Sequence, residues 1–504
     1  MVDQSEILPT PRSGVSVPHA DVNRLRRQAI RGGTLFLASR LTVQAFQWLA
    51  TILVARLLAP VDYGLMATAL LFVGLADLLA EAGLGRALMQ KPTLTPSDQA
   101  QAFTLSAILA LLLYGLLWLL AGSIAAHFAA PQIAVLLRVT ALVVLLVPLQ
   151  AIASAILERD LRYGRQSAVQ LAMAAVQSVT VLALALAGYG VWALAFGAIV
   201  ARLVQTALVL YFSRWRPALA LPSAETWRLL RFGLTISATS LVWFAYSSAD
   251  MAIVSALLGP VLLGYYSMAY QLIMIPIDKI SAIVNQVSFA TYCKLQSDRP
   301  RLRDWFSRLM VLRCAITFPA IAGIALVAND AVPLLLGEKW RPACLLIALL
   351  APVAASIVVS TSFAPLFNAI SRPEIGLYWT AANVAVFPVA FWIGCRTAGL
   401  TGICVAWLIC QPTSAFILIQ QTSHLTSMTV QAIARKLAPV LMATLAMICV
   451  VFIVQYTLAG GSTALRLCVS IVLGAAAYVA CIWNLAANTV VADVKILTGE
   501  LSKA

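Results

Sequence analysis

Charge is scarce in this chain: Lys, Arg, Asp and Glu together make up only 11% of 504 residues, where soluble domains carry about a quarter. A soluble globular fold is excluded. Histidine is scarcer still, with only His19, His127 and His424, each outside or at the margin of an apolar run. A Ser-His nucleophile or a histidine-bound metal therefore has no basis, and neither a GxxxxGK[ST] phosphate loop nor an HExxH motif is present. Driving transport with ATP from this chain alone is excluded with them. The nine cysteines form no CxxC pair and nearly all fall within apolar runs, so they read as small buried residues rather than disulfides or ligands. Long polar loops are also missing, which leaves no room for a folded domain outside the membrane and argues against a catalytic loop of the kind a membrane polymerase or ligase exposes.

What the chain does have is apolar length. The hydrophobic set makes up 62% of it, enough for about fourteen spanning helices of about 22 residues each. Apolar runs bounded by charge, Pro or Gly place these spans near 34–58, 64–88, 101–125, 133–157, 167–187, 191–212, 232–258, 264–288, 309–328, 341–368, 376–395, 399–420, 437–457 and 465–486. The first run is too long for a cleaved signal, so residues 1–30 read as a cytoplasmic tail before a permanent span. With that tail inside, 24 of the 34 cations fall on inner segments and six on outer ones. The positive-inside rule then puts both termini in the cytoplasm and accounts for the net charge of +15 without a nucleic-acid partner.

Sliding the sequence by 200 positions aligns the first span with the seventh. Twelve of 39 positions in 31–69 recur in 231–269, including Pro60/Pro260 and Gly64/Gly264 at one spacing. A second echo joins Gly188-Tyr189-Gly190-Val191-Trp192 to the segment from Gly399 to Trp407. Both echoes lie six spans apart, and an even offset preserves helix direction, so the halves should be related by an axis along the membrane normal. The expected fold is an all-α polytopic membrane protein: an N-lobe at 31–212, a cytoplasmic linker at 213–231, a C-lobe at 232–420, two added spans at 437–486, and a cytoplasmic tail at 487–504.

Two six-helix lobes around a central cavity make a transporter architecture. The run Arg56-Leu57-Leu58-Ala59-Pro60-Val61-Asp62-Tyr63-Gly64, then Asp77, Gly83-Leu84-Gly85-Arg86, Ala249-Asp250 and the turn from Gly259 to Tyr266 resemble the polysaccharide-transport (Wzx-type) flippases. That family belongs to the MOP superfamily, together with the lipid II flippases and the MATE drug exporters. The resemblance implies a cargo of oligosaccharide on polyprenyl pyrophosphate, flipped across the bacterial inner membrane for O-antigen, capsule or exopolysaccharide synthesis. It implies membrane lipids, a polysaccharide polymerase and export machinery as partners, and no cofactor. The rival transporter is a cation-coupled small-molecule exporter of the MATE kind.

An ionisable group inside a span costs several kcal/mol unless it meets a partner or water, so the charges within spans are the candidate functional residues. Arg40, Gln44, Gln47 and Thr51 form one polar stripe on the first span. Asp77 and Glu81 lie i, i+4 on the second, with Glu81 at the depth of Arg40, which suggests an Arg40–Glu81 pair. Arg202 lies about 15 Å from either end of the sixth span, too deep to snorkel, beside Gln205 and Thr206. It either lines the cavity or is a satisfied interhelical charge. Lys279 and Asp278 share the eighth span, Arg313 enters the ninth where snorkelling would also satisfy it, and Asp250 on the seventh serves either ion coupling or structure. Arg40, Gln44, Gln47, Arg202, Lys279 and Arg313 are thus the candidate cargo-binding residues, and Asp77, Glu81, Asp250 and Asp278 the candidates for coupling or ion pairing. Guanidinium suits a pyrophosphate, and amides such as Gln170 and Gln177 suit sugars. Prolines 148, 276, 319, 352, 365, 388 and 412 are candidate kinks.

Overall fold

The computed structural model describes residue 44 and residues 46–501, apart from positions 92, 161, 222, 297, 427 and 428. Every regular element among them is helical. In chain order they are α1 (Phe46–Leu57), α2 (Pro60–Glu81), α3 (Leu84–Gln90), α4 (Pro96–His127), α5 (Gln132–Thr140), α6 (Val147–Arg159), α7 (Tyr163–Leu186), α8 (Val191–Ser213) and α9 (Ala224–Leu295). There follow α10 (Arg299–Leu336), α11 (Arg341–Thr361), α12 (Phe363–Ala369), α13 (Pro373–Thr426), α14 (Val430–Thr457) and α15 (Thr463–Leu501).

Local chemistry sets the starts of the helices. Proline occupies the first turn of α2 and of α4, where its missing N–H costs nothing. Thr95 caps α4 reciprocally with Asp98: the Asp98 amide donates to Thr95 Oγ1 at 3.2 Å and the Thr95 amide to Asp98 Oδ2 at 2.9 Å. Lys91 adds an ion pair to Asp98 at 2.7 Å, tying the short loop down.

Among the described residues, eleven helices are long and apolar enough to cross a membrane. Two of them, at 49 and 51 residues, would extend more than 70 Å if straight, over twice the ~30 Å hydrocarbon core. Both fold back at glycine. Gly259 (φ 80°, ψ 178°) breaks α9 and Gly399 (φ 59°, ψ −135°) breaks α13, in backbone conformations open to a residue without Cβ. Beyond Gly399 the chain doubles back so closely that a Cβ on Gly402 would stand 1.8 Å from the Gly394 carbonyl oxygen. The expected fourteen spans count each of these two helices twice and add the first span, of which α1 is the described part.

Several spans are broken where uninterrupted helix is expected. The second turns at Ala82–Gly83, both with positive φ, between α2 and α3. The fourth passes from α5 through a 3-10 turn (Ala141–Leu146) into α6, with Pro148 in the first turn of α6. The tenth divides into α11 and α12. Prolines 276, 388 and 412, by contrast, lie inside α9 and α13 without leaving helical backbone; the non-helical residues there are Gly259, Ala398 and Gly399.

Apolar packing falls into two main cores. One joins Leu65, Val73, Leu117, Ile133, Leu137 and Val144 from α2, α4 and α5 with the adjoining turn. The other, richer in aromatics, joins Tyr266, Phe306, Trp340, Phe363, Phe391 and Trp407 from α9 to α13. Between hydrocarbon-solvated helices, close backbone approach replaces hydrophobic drive, and small residues permit it. The halves meet this way along α2 and α9. A Cβ on Gly64 would stand 1.7 Å from the Pro260 carbonyl oxygen, and one on Gly264 would stand 1.9 Å from that of Pro60. Each repeat's glycine sits on the other repeat's proline, the reciprocity that a two-fold axis generates. Thr68 and Ser255 share a hydrogen bond of 2.7 Å farther along, and Gly83 packs on the backbone of Gly233 at the basic end. The second echo has a structural counterpart too: Gly190, before α8, holds φ 56° and ψ −133°, nearly the values at Gly399.

Helices α14 and α15 pack on α10. Arg466 Nε donates to Asp330 Oδ2 at 2.8 Å, Tyr478 Oη to the Ala315 carbonyl at 2.6 Å, and Gln455 Nε2 to that of Leu326 at 2.8 Å. Asp330 is buried at 5% exposure. Arg466→Ala strands that carboxylate and is expected to lower the temperature of thermal unfolding. Thermal unfolding in detergent checks this, with most of the loss recovered when Asp330→Asn is added.

Candidate functional site

Arg202 is brought inward by α8, which follows the tight Gly190 turn and packs against α6 and α7. At the middle of that helix its Nη2 meets Asp77 Oδ2 of α2 at 2.9 Å, both side chains about a quarter exposed. The partner of Arg202 is thus Asp77. Glu81, one turn nearer the basic end, instead lines a cavity of about 270 Å³ with Arg202, Arg86, Gln150, Ser154 and Glu158. Every residue lining it belongs to the N-terminal half. Arg40 lies outside the described residues, and with it the expected Arg40–Glu81 pair.

The ion pair is made by one nitrogen and one oxygen, and it leaves polar atoms unused. Asp77 Oδ1, Arg202 Nε and, on the cavity wall, Gln150 Oε1 are shielded from solvent without a hydrogen-bond partner among the described residues. Such atoms cost about 1–3 kcal/mol each if nothing meets them. They mark where a polar occupant gains most, since a second oxyanion at Arg202 would satisfy the free Nε–H. The cavity is not uniformly cationic, because Glu81 and Glu158 balance Arg86 and Arg202. Gln166 Nε2 donates to Glu158 at 2.6 Å, which leaves Glu81 the more available acid.

The remaining candidates lie apart from this site. Arg313 is enclosed at 2% exposure in the C-terminal half. Its guanidinium donates to hydroxyls where α11 gives way to α12, to Thr361 at 2.9 Å and Ser362 at 3.3 Å, and also to Ser281 of α9. Neither snorkelling nor a carboxylate partner among the described residues accounts for it. Asp250 is fully buried, and its carboxylate accepts from Tyr266 Oη at 2.6 Å, Trp407 Nε1 at 3.1 Å and the Met251 amide at 2.7 Å. That ring of donors fits a structural anchor better than an open cation seat. Asp278 and Lys279 are exposed neighbours on α9; Gln47 is half-buried on α1, and Gln44, before its first residue, is half-buried too. Gln170 and Gln177 are exposed on α7, which packs on α6 and α8 and shares a core cluster with α1 through Val181 and Ala185.

A second feature escaped sequence reading: a clasp between the halves at the end opposite the basic one. Arg56, at the end of α1, donates to the carbonyls of Leu334 and Leu335 that end α10. In return Lys339 Nζ donates to the Arg56 carbonyl at 2.7 Å and Trp340 Nε1 to that of Ala55 at 2.8 Å. Each cation sits on the negative end of the other half's helix. Tyr63 packs edge-on against Trp340 at 5.2 Å. The sequence signal was present, since Arg56 and Lys339 stand where few cations do, but their pairing spans 283 positions.

The polysaccharide biosynthesis protein family matches residues 53–345, more than half of the chain. The chain is 26% identical to the lipopolysaccharide biosynthesis protein WzxC of Escherichia coli K12 over 77% of its own length and 79% of that protein's. It is 26% identical to the succinoglycan biosynthesis transport protein ExoT of Rhizobium meliloti 1021 over 66% and 67%. Among solved structures, the lipid II flippase MurJ in an inward closed conformation has a TM-score of 0.74 at 13% identity, covering 89% of this chain and 98% of that one. That likeness establishes a shared multi-pass fold.

Proposed function

The chain belongs to the polysaccharide biosynthesis protein family, and on that premise we propose that it is a flippase carrying polyprenyl-pyrophosphate-linked oligosaccharide across the bacterial inner membrane. It is a transporter, not an enzyme. The observation that carries this reading is the family match across both halves of the hairpin repeat, joined to relatives named for lipopolysaccharide biosynthesis and succinoglycan transport. A cation-coupled small-molecule exporter is the weaker reading, because those relatives serve polysaccharide synthesis.

In this proposal the basic end faces the cytoplasm, with both termini there. The cargo's pyrophosphate enters the cavity beneath Arg202, and the guanidinium exchanges Asp77 for a phosphoryl oxygen. Asp77 then keeps the charge of Arg202 balanced whenever the site is empty, which a guanidinium at mid-membrane requires. Glu81 is the proposed coupling acid. Export requires the Arg56–Lys339–Trp340 clasp to open, after which the repeats part about the Gly64/Gly264 contact. The polymerase and export machinery receive the cargo outside.

Deleting the gene is expected to stop surface polymer while its lipid-linked repeat unit accumulates in the inner leaflet, both reversed by the wild-type gene. Loss of polymer with no lipid-linked intermediate would place the protein at another step.

A further inference from the structure

The linker between the halves begins in a pocket that the proposed cargo path does not use. Where α8 ends, Arg214 takes a left-handed conformation (φ 57°) and turns the chain into a segment without regular structure. Arg214, Trp215 and Arg216 of that segment, with Tyr211 and Phe212 of α8 and Arg165 of α7, line a space of about 640 Å³. Three guanidiniums face it and no carboxylate does. Arg165 is held in place, donating to the Phe212 carbonyl at 3.3 Å with its guanidinium 5.9 Å from the Phe212 ring centre. Arg214 and Arg216 are exposed and make no hydrogen bond or ion pair among the described residues.

Apolar side chains surround these charges where water alone would disfavour them. Tyr211, Leu219 and Leu221 are 73%, 78% and 89% exposed. The segment is nonetheless fixed to the protein: Trp215 packs on Phe103 at 5.5 Å, the Ala220 amide donates to Thr104 Oγ1 at 3.0 Å, and Ser223 Oγ donates to Gln101 Oε1 at 2.8 Å. A fixed strip of exposed Tyr and Leu beside unpaired Arg matches the membrane interface, with rings and aliphatics at headgroup depth and cations on phosphates.

We propose that this pocket binds the phosphate of an anionic phospholipid from the cytoplasmic leaflet. The occupant is bulk lipid rather than cargo because the pocket is lined only by α7, the end of α8 and the linker, with no residue of α2 or α9, whose seam joins the halves. Arg165 is the preset ligand, and Arg214 and Arg216 close on the phosphate from the linker. Acyl chains lie along the exposed face that ends at Tyr211. Since the same segment runs on to α9, a bound lipid anchors the strap that joins the halves.

The test is native mass spectrometry of the purified full chain released from micelles containing phosphatidylglycerol or phosphatidylcholine. Arg214→Gln with Arg216→Gln is expected to remove one retained phosphatidylglycerol and weaken its binding about tenfold or more, leaving phosphatidylcholine unchanged. Arg214→Lys with Arg216→Lys keeps most of the binding and controls for folding. Equal phosphatidylglycerol retention by the Gln pair overturns the proposal. So does a matching loss of phosphatidylcholine, or displacement of phosphatidylglycerol by equimolar polyprenyl pyrophosphate, which would make the pocket a cargo dock.

Discussion

Arg202→Ala is expected to abolish polymer export, and Arg202→Lys to keep a minor part of it, because Lys retains the charge but loses the fork that holds a phosphoryl group. The alanine variant also strands Asp77 at mid-membrane, at a cost of about 3 kcal/mol. Some protein is therefore lost to misfolding, and export must be read per inserted molecule. Arg202→Gln with Asp77→Asn separates the two roles, since it removes both charges and restores folding. If Arg202 meets the cargo, the double variant inserts at wild-type levels and exports nothing. If the pair is only structural, the double variant exports normally, and Arg202 leaves the proposed site.

Gly64→Val is expected to reduce export at least tenfold in a protein that still inserts. A Cβ there would stand 1.7 Å from the Pro260 carbonyl oxygen, about half an ordinary contact distance, and backbone on both sides leaves nothing flexible to yield. The closed contact between the repeats is then unavailable, while states in which the halves have parted tolerate the side chain. Gly264→Val meets Pro60 in the same way and should behave alike. Thr68, fully buried four residues along α2, reports the change. With Thr68→Cys as background, Gly64→Val should raise labelling by an impermeant maleimide applied from outside. Unchanged export together with unchanged labelling would show that the contact is not part of the transport cycle.

Much of the architecture could be read from the chain because a bilayer restricts it so severely. Apolar length located the long helices, and the recurrence of Pro60-Val61 with Gly64 at Pro260-Val261 with Gly264 marked residues that meet across the interface. The breaks in helices were harder to see. Hydropathy runs uninterrupted through Ala82–Gly83, so nothing in composition separates a span from a broken span there, whereas the prolines that do stand out in α9 and α13 stay helical because membrane helices accommodate them.

At the candidate site, depth was legible and direction was not. Arg202 was placed at mid-membrane by counting, and the same count puts Asp77 at a similar ~16 Å from the basic end of its own span. Equal depth applied to that pair would have found the ion pair; the expectation paired Arg40 with Glu81 instead, and Arg40 lies outside the described residues. Which face of α8 turns toward α2 depends on helix packing, and charge spacing along one helix does not encode it. Arg313 misled for a related reason. Its position near a span end suggested access to water, while the hydroxyls of Ser281, Thr361 and Ser362 that enclose it come from distant segments.

The central claim is that this chain alone moves a lipid-linked oligosaccharide between leaflets. Purified protein in vesicles carrying a fluorescent polyprenyl-pyrophosphate oligosaccharide tests it most directly, with an impermeant enzyme or quencher reporting the fraction of headgroups on each face. The account predicts that active vesicles equilibrate the two pools in minutes, that Arg202→Gln with Asp77→Asn leaves them unmixed, and that protein-free vesicles match the double variant. Equal distribution rates with wild-type protein, double variant and no protein would contradict it.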